Sequence, residues 1–210
     1  ASCSTLSMET LDHIVLAAET LEEGVNYVQG RLGVGLEAGG EHSLFGTHNR
    51  LLGLGDCYFE VIARNPLAAP AKRSLWFDLE RFSGPPRVIT WVCQTSDMAQ
   101  ALSALPYNPG PVITVTRQDL IWDLTIAEDG LLAMDGTAPL IIDWKNISPP
   151  TQRLPDVGCR LKHMTVSHVR AEQLAEWAES SLQDLRINFK YAEEPKIILT
   201  LTTPNGDANL

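Results

Sequence analysis

Gly39 to Arg64 reads GGEHSLFGTHNRLLGLGDCYFEVIAR, and this stretch decides what the rest of the chain can be. Short apolar runs broken by turn residues predict a β-meander. His42–Phe45 is the expected first strand, Gly46-Thr47 a break, Arg50–Leu54 the second strand and Tyr58–Ala63 the third. Gly55-Asp56 is hairpin chemistry, because glycine takes positive φ at no steric cost. His42, His48, Asn49 and Glu60 crowd this one small sheet. Glu60 stands among Tyr58, Phe59, Val61 and Ile62, and an ionised carboxylate is costly to bury unless paired or metal-bound. Glu60 is therefore expected either on a solvated face or at a functional site.

Upstream, Leu11–Ala17 reads as a strand, and Thr20 opens a helix with Glu22 and Glu23 in its first turn and Gly33 at its end. One unit is thus strand, helix and three strands. The pattern returns at Arg87–Gln94, a strand followed by a helix capped by Ser96 or Asp97 that runs to Leu105. Val112–Arg117, Leu120–Glu128 and Pro139–Trp144 are the strands of this second unit. A third start, LKHMTVSHV from Leu161, precedes an amphipathic helix over Ala171–Leu182 and strands at Arg186–Tyr191 and Ile197–Thr202. Leu161-x-His163 repeats Leu11-x-His13, and such self-similarity suits fused modules of one domain. The modules span about 8–64, 87–145 and 159–210, the third shortened at its end, within a single domain over 8–210. Pro-rich connections, 65–86 and 146–158, separate them, and Leu75-Trp76-Phe77 in the first is expected to pack. Residues 1–7 read as a tag or leader ahead of Met8.

HSLFGTHNRLLGLGDCYFEVIA, together with LDHIVLA at Leu11–Ala17, resembles the glyoxalase-like members of the vicinal-oxygen-chelate superfamily. That resemblance covers most of the chain from Leu11 on. It implies an α+β fold in which βαβββ modules form curved, mostly antiparallel sheets around a pocket. It also implies metal ligands on the first and last strands of paired units, which in the first unit are His13 and Glu60. A neutral imidazole and a carboxylate form a half-site for a divalent Zn, Fe, Mn or Ni ion. The second unit departs from the pattern, with Trp91 at the position of His13 and Leu140, Ile141 and Ile142 around that of Glu60. The alternative is that His13 and Glu60 hydrogen-bond each other or a buried water.

The resemblance further marks His42, Thr47 and Asn49 as substrate contacts and leaves His48 open. Trp91 and Trp122 are candidate pocket walls, and core packing is the competing reading of each. His168 is expected to be exposed at a strand end, and His163 is either a core histidine or a ligand contributed by the third unit.

A net charge of −10 argues against nucleic acid or an anionic membrane as partner. No apolar run approaches the roughly 20 residues needed to span a bilayer. Cys3, Cys57, Cys93 and Cys159 are too far apart for a zinc ribbon, and a reduced, cytoplasmic setting is the expectation. The sequon at Asn146 carries no weight without a secretion signal. Gly33-x-Gly35-x-x-Ala38 follows a helix instead of linking strand to helix, so it is no dinucleotide site. Two functions stay open. One is a metal-assisted lyase, isomerase or dioxygenase-like enzyme, with Glu60 as base if the site is metal-poor. The other is a non-catalytic small-molecule binding or regulatory protein. A homodimer, with the third unit covering a sheet edge, is also among the expectations.

Overall fold

A computed structural model describes residues 8–71, 73–145 and 147–210. The leader with Cys3, and Asn146 of the sequon, lie outside the described residues. The first unit comprises β1 (Thr10–Ala17), α1 (Leu21–Leu32), β2 (Glu37–His42), β3 (Thr47–Gly53) and β4 (Tyr58–Arg64). The second comprises β5 (Arg87–Gln94), α2 (Met98–Ala104), β6 (Val112–Arg117), β7 (Leu120–Thr125) and β8 (Leu140–Asp143). Local chemistry sets their limits. The Thr20 hydroxyl accepts from the Glu23 amide at 3.1 Å, and Gly33 closes α1 in the left-handed region. Asp97 caps α2 by accepting from the Gln100 amide.

The meander is shifted from its sequence reading. Glu37–His42 is the first strand, and His42–Gly46 is a turn in which the Phe45 and Gly46 amides both donate to the His42 carbonyl. Phe45 is drawn out of the ladder because its ring stacks on Trp76 at 4.0 Å and is fully buried. That packing outweighs strand propensity.

Both units join one eight-stranded sheet ordered β2-β3-β4-β1-β5-β8-β7-β6. Within each unit the first strand runs parallel to the last, and the antiparallel β1–β5 pair joins the halves. The sheet curls until its edges β2 and β6 approach each other. Inside the curve lie Val15, Ile62, Val92, Trp122, Leu124 and Ile142, plugged by Leu75, Trp76 and Phe77 from the 65–86 connection. Burying each such side chain contributes roughly 1.5–3 kcal/mol. That connection therefore forms part of the core, as its apolar triplet predicts.

The opposite face of the sheet carries Ile14, Leu16, Phe59, Trp91 and Ile141. Against it pack α1 and the third unit, made of β9 (Arg160–His168), α3 (Ala171–Ser181), β10 (Ile187–Tyr191), β11 (Lys196–Thr203) and β12 (Gly206–Asn209). This unit forms its own four-stranded sheet, ordered β10-β9-β11-β12. β12, with the sequence GDAN, has no apolar alternation to announce it. β9 pairs with both β10 and β11 of its own unit, whereas β1 pairs within its unit with β4 alone and otherwise with β5 of the second, so the shared Leu-x-His start leads to a different strand order. No helix among the described residues is long and apolar enough to cross a membrane.

Candidate functional site

β1 and β4 set the centre of the concave face. The β1–β5 pairing slips between Leu11 and His13, so alternation breaks there. Leu11 packs on the outer face, while Asp12 and His13 both reach groups inside the curve. Strict alternation would place His13 on one face with both Leu11 and Val15; the bulge keeps it with Val15 and takes Leu11 to the other face. Glu60 shares the inner face with Tyr58 and Ile62 as alternation requires.

The polar groups form a connected set. His13 Nδ1 lies 2.6 Å from Asp12 Oδ2, and Asp12 Oδ1 accepts from the Trp144 indole at 2.9 Å. His13 Nε2 faces Glu60 Oε1 at 3.6 Å, and the imidazole stacks on Tyr58 at 4.5 Å. Asn49 Nδ2 donates to Glu60 Oε2 at 2.6 Å, and Asn49 Oδ1 accepts from the Gly40 amide at 2.7 Å. The Asn49 side chain fits because residue 39 is glycine: a Cβ there would stand 1.9 Å from Asn49 Oδ1. His42 Nδ1 lies 3.1 Å from Thr47 Oγ1, which also accepts from the Trp76 indole at 3.0 Å. Asp12, His13, His42, Thr47, Asn49 and Glu60 are all buried.

Environment splits the two histidines. Burial alone would lower the pKa of His13, but hydrogen bonds to Asp12 and Glu60 outweigh it and raise it to about 9. Burial lowers that of His42 to about 4, with the Arg117 charge adding to the effect. Burial would push Glu60 up, yet the His13 hydrogen bond and charge hold it below the usual carboxylate range. At neutral pH the site therefore holds imidazolium His13, carboxylate Glu60 and neutral His42.

These groups line a cavity of about 40 Å³, closed on the other side by Trp76, Phe77, Trp122, Trp144 and Arg117. His13, His42, Asn49 and Glu60 are thus brought together, and Thr47 stands behind them, fixing His42 and Trp76. Trp122 is a wall. Trp91 is not. It pairs with Ile14 across β1–β5, and directly opposed residues share a face, so it points outward. There its indole donates to the Thr137 carbonyl at 2.7 Å beside Trp177 and Phe189. His163 is exposed on the third unit and does not reach the cavity. His168 is buried instead of exposed, with Nε2 2.9 Å from Asp135 Oδ2. His48 is half-buried and outside the cavity.

Asp12 and Arg117 escaped the sequence reading. The burial argument applied to Glu60 fits Asp12 in LDHIVLA equally well. No local signal marks Arg117, because only sheet closure brings β6 to β2.

The donor set does not fit a protein-enclosed metal. Among the described residues no three His, Cys, Asp or Glu side chains are placed to hold an ion. The inward positions of the second unit nearest the dyad carry Val92, Leu140 and Ile142.

A family model described as a glyoxalase-like domain matches residues 11–182. A solved structure titled a hypothetical protein from Staphylococcus aureus superposes with a TM-score of 0.60, covering 90% of this chain and 88% of that one at 12% identity. A methylmalonyl-CoA epimerase bound to methylmalonyl-CoA gives a TM-score of 0.44 at 16% identity, covering 69% of this chain and 100% of that one. A variant 4-hydroxymandelate synthase from Streptomyces coelicolor gives 0.47 at 13% identity, covering 98% of this chain and 63% of that one. No curated protein matches the chain.

Proposed function

This chain belongs to the glyoxalase-like domain family of the vicinal-oxygen-chelate superfamily, and we propose that it is a metal-independent isomerase- or lyase-type enzyme in which Glu60 moves a proton on a small carbonyl compound. The observation that carries this reading is a buried carboxylate, held ionised by His13 and Asn49, at the wall of an aromatic-lined cavity. A C–H bond next to the carbonyl breaks, its electron pair passes to the carbonyl oxygen, and Glu60 takes the proton and returns it to the same or a neighbouring carbon. His42, neutral at working pH, is the hydrogen-bonding group for the oxygen that gains charge.

The electrostatics limit the substrate. A base of lowered pKa provides little driving force, so the carbon must be activated by a ketone or a similarly electron-withdrawing group. A divalent ion at His13 and Glu60 is opposed by the incomplete donor set. The reduced setting and cytoplasmic location inferred from the sequence remain part of the proposal, supported by Cys57, Cys93 and Cys159 being free thiols.

The second reading, a binding protein without chemistry, is favoured by one feature: both Glu60 oxygens already have partners. Solvent deuterium incorporation into small ketones, followed by NMR, separates the two. The enzyme reading expects incorporation that Glu60→Gln lowers at least 100-fold. Ligand binding without any incorporation would support the binding protein.

A further inference from the structure

We propose that Arg117 is the anion anchor of this cavity and that the ligand it selects is a small carboxylate with an apolar body. The proposal builds on the reading of the Glu60 cavity given above and adds its substrate class.

Arg117 ends β6, the edge strand that curls round to meet β2. Its side chain lies on the bare backbone of Gly40, where a Cβ would stand 2.8 Å from Nη1 and 3.1 Å from Cδ and Cζ. The Gly39-Gly40 pair, at the register slip of β2, thus has two uses. Gly39 admits the Asn49 side chain, and Gly40 admits the guanidinium.

Arg117 is half-buried and lines the cavity, yet among the described residues its guanidinium has neither a carboxylate partner nor a hydrogen-bond acceptor. Arg160 and Arg186, by contrast, are paired with Asp156 and with Asp184 and Asp56. Glu60, the carboxylate sharing the cavity, is already engaged by His13 and Asn49. His13 is shared between Glu60 and Asp12, and among the described residues Arg117 is the cation lining the cavity that has no carboxylate in contact. A partly desolvated cation without a partner is costly. The planar fork of a guanidinium matches a carboxylate through two parallel hydrogen bonds.

The other walls fix the remainder of the ligand. Trp76, Phe77, Trp122 and Trp144 offer apolar surface. At about 40 Å³ the cavity as it stands holds little more than one water and is below the roughly 150 Å³ that seats a benzene, so a small carboxylate enters only as the aromatic wall shifts aside. Among the described residues one unpaired cation lines the cavity, close to the two carboxylates that share His13, and this limits the ligand to a monoanion. A phosphate dianion would meet repulsion from Glu60 without a second cation.

The test compares pyruvate with its neutral isostere pyruvamide, using saturation-transfer NMR on the full chain with inorganic phosphate as competitor. Pyruvate is expected to bind at least tenfold tighter than pyruvamide. Arg117→Gln should erase that preference and Arg117→Lys should keep part of it. Gly40→Ala, which displaces the guanidinium without touching the core, should weaken pyruvate several-fold. Failure of pyruvate to bind, equal binding of the two probes, unchanged pyruvate affinity in Arg117→Gln, or tighter binding of phosphate would each overturn the anchor. Deuterium exchange at the pyruvate methyl tests Glu60 separately. Arg117-dependent binding without exchange keeps the anchor and removes proton transfer. Exchange indifferent to Arg117 does the reverse.

Discussion

Asn49 joins Glu60 to the backbone of the neighbouring edge strand, donating to Glu60 Oε2 at 2.6 Å while accepting from the Gly40 amide at 2.7 Å. One neutral side chain thereby satisfies a buried carboxylate oxygen and a backbone donor. Asn49→Leu leaves both without partners, and each unsatisfied buried group costs about 1–3 kcal/mol. Chemical denaturation should show Asn49→Leu destabilised by at least about 2 kcal/mol, whereas Asn49→Ser, which leaves room for water, should lose less.

Gly39→Ala reaches the same contact from the other side. A Cβ at residue 39 would stand 1.9 Å from Asn49 Oδ1 and 2.6 Å from the Asn49 carbonyl oxygen. The second atom is backbone and cannot swing away. The variant is expected to lose stability comparably to Asn49→Leu, read from its urea midpoint, while Gly30→Ala on the open surface of α1 should be neutral or stabilising.

Stability should peak near pH 6.5, because the two buried histidines are shifted in opposite directions. His13 has its pKa raised to about 9, so its contribution is complete below about 6.5 and is lost as pH rises through about 9. His42 has its pKa lowered to about 4, so its contribution is complete above about 6.5 and is lost as pH falls through about 4. Glu60, also lowered, adds a further loss below its ordinary range. Urea unfolding as a function of pH should show both limbs. His42→Phe should flatten the acid limb, and His13→Leu the alkaline one.

Removing His13 should cost more than its packing. His13→Leu leaves Glu60 and Asp12 as buried acids without their shared cation, and breaking a buried pair on one side costs about 3–5 kcal/mol. Adding Glu60→Gln to His13→Leu should recover part of that loss in a denaturation series.

The two tryptophans tell the faces of the sheet apart. Trp91→Ala should destabilise by about 3–5 kcal/mol, as large core truncations do, with the residual fold still binding cavity ligands. Trp122→Ala opens the cavity wall and should change ligand affinity strongly.

Much of the fold was legible in local chemistry. The caps at Thr20 and Asp97, the hairpin at Gly55-Asp56 and the strand at Arg87–Gln94 all follow from nearest neighbours along the chain. His13, His42, Asn49 and Glu60 were legible as a candidate cluster because a resemblance pointed to all four and the cost of burying a carboxylate pointed to Glu60. What escaped depends on contacts distant in sequence. The bulge that turns Asp12 inward arises in the pairing with β5, and Trp91 lies outside the cavity because of the same pairing. Arg117 meets Gly40 only because the sheet curls. β12 forms by completing a ladder on β11, which its own four residues do not encode.

The charge state of His13 tests the central claim most directly. Long-range ¹H–¹⁵N NMR of histidine-labelled protein, across pH 4–10 and then with one equivalent of zinc, reports both ring nitrogens. Both should stay protonated to about pH 9 and be unaffected by zinc, while His42 stays neutral down to about pH 4. A His13 that titrates near 6.5, or whose Nε2 resonance moves to a metal-bound position with stoichiometric zinc, would contradict a metal-independent Glu60 site.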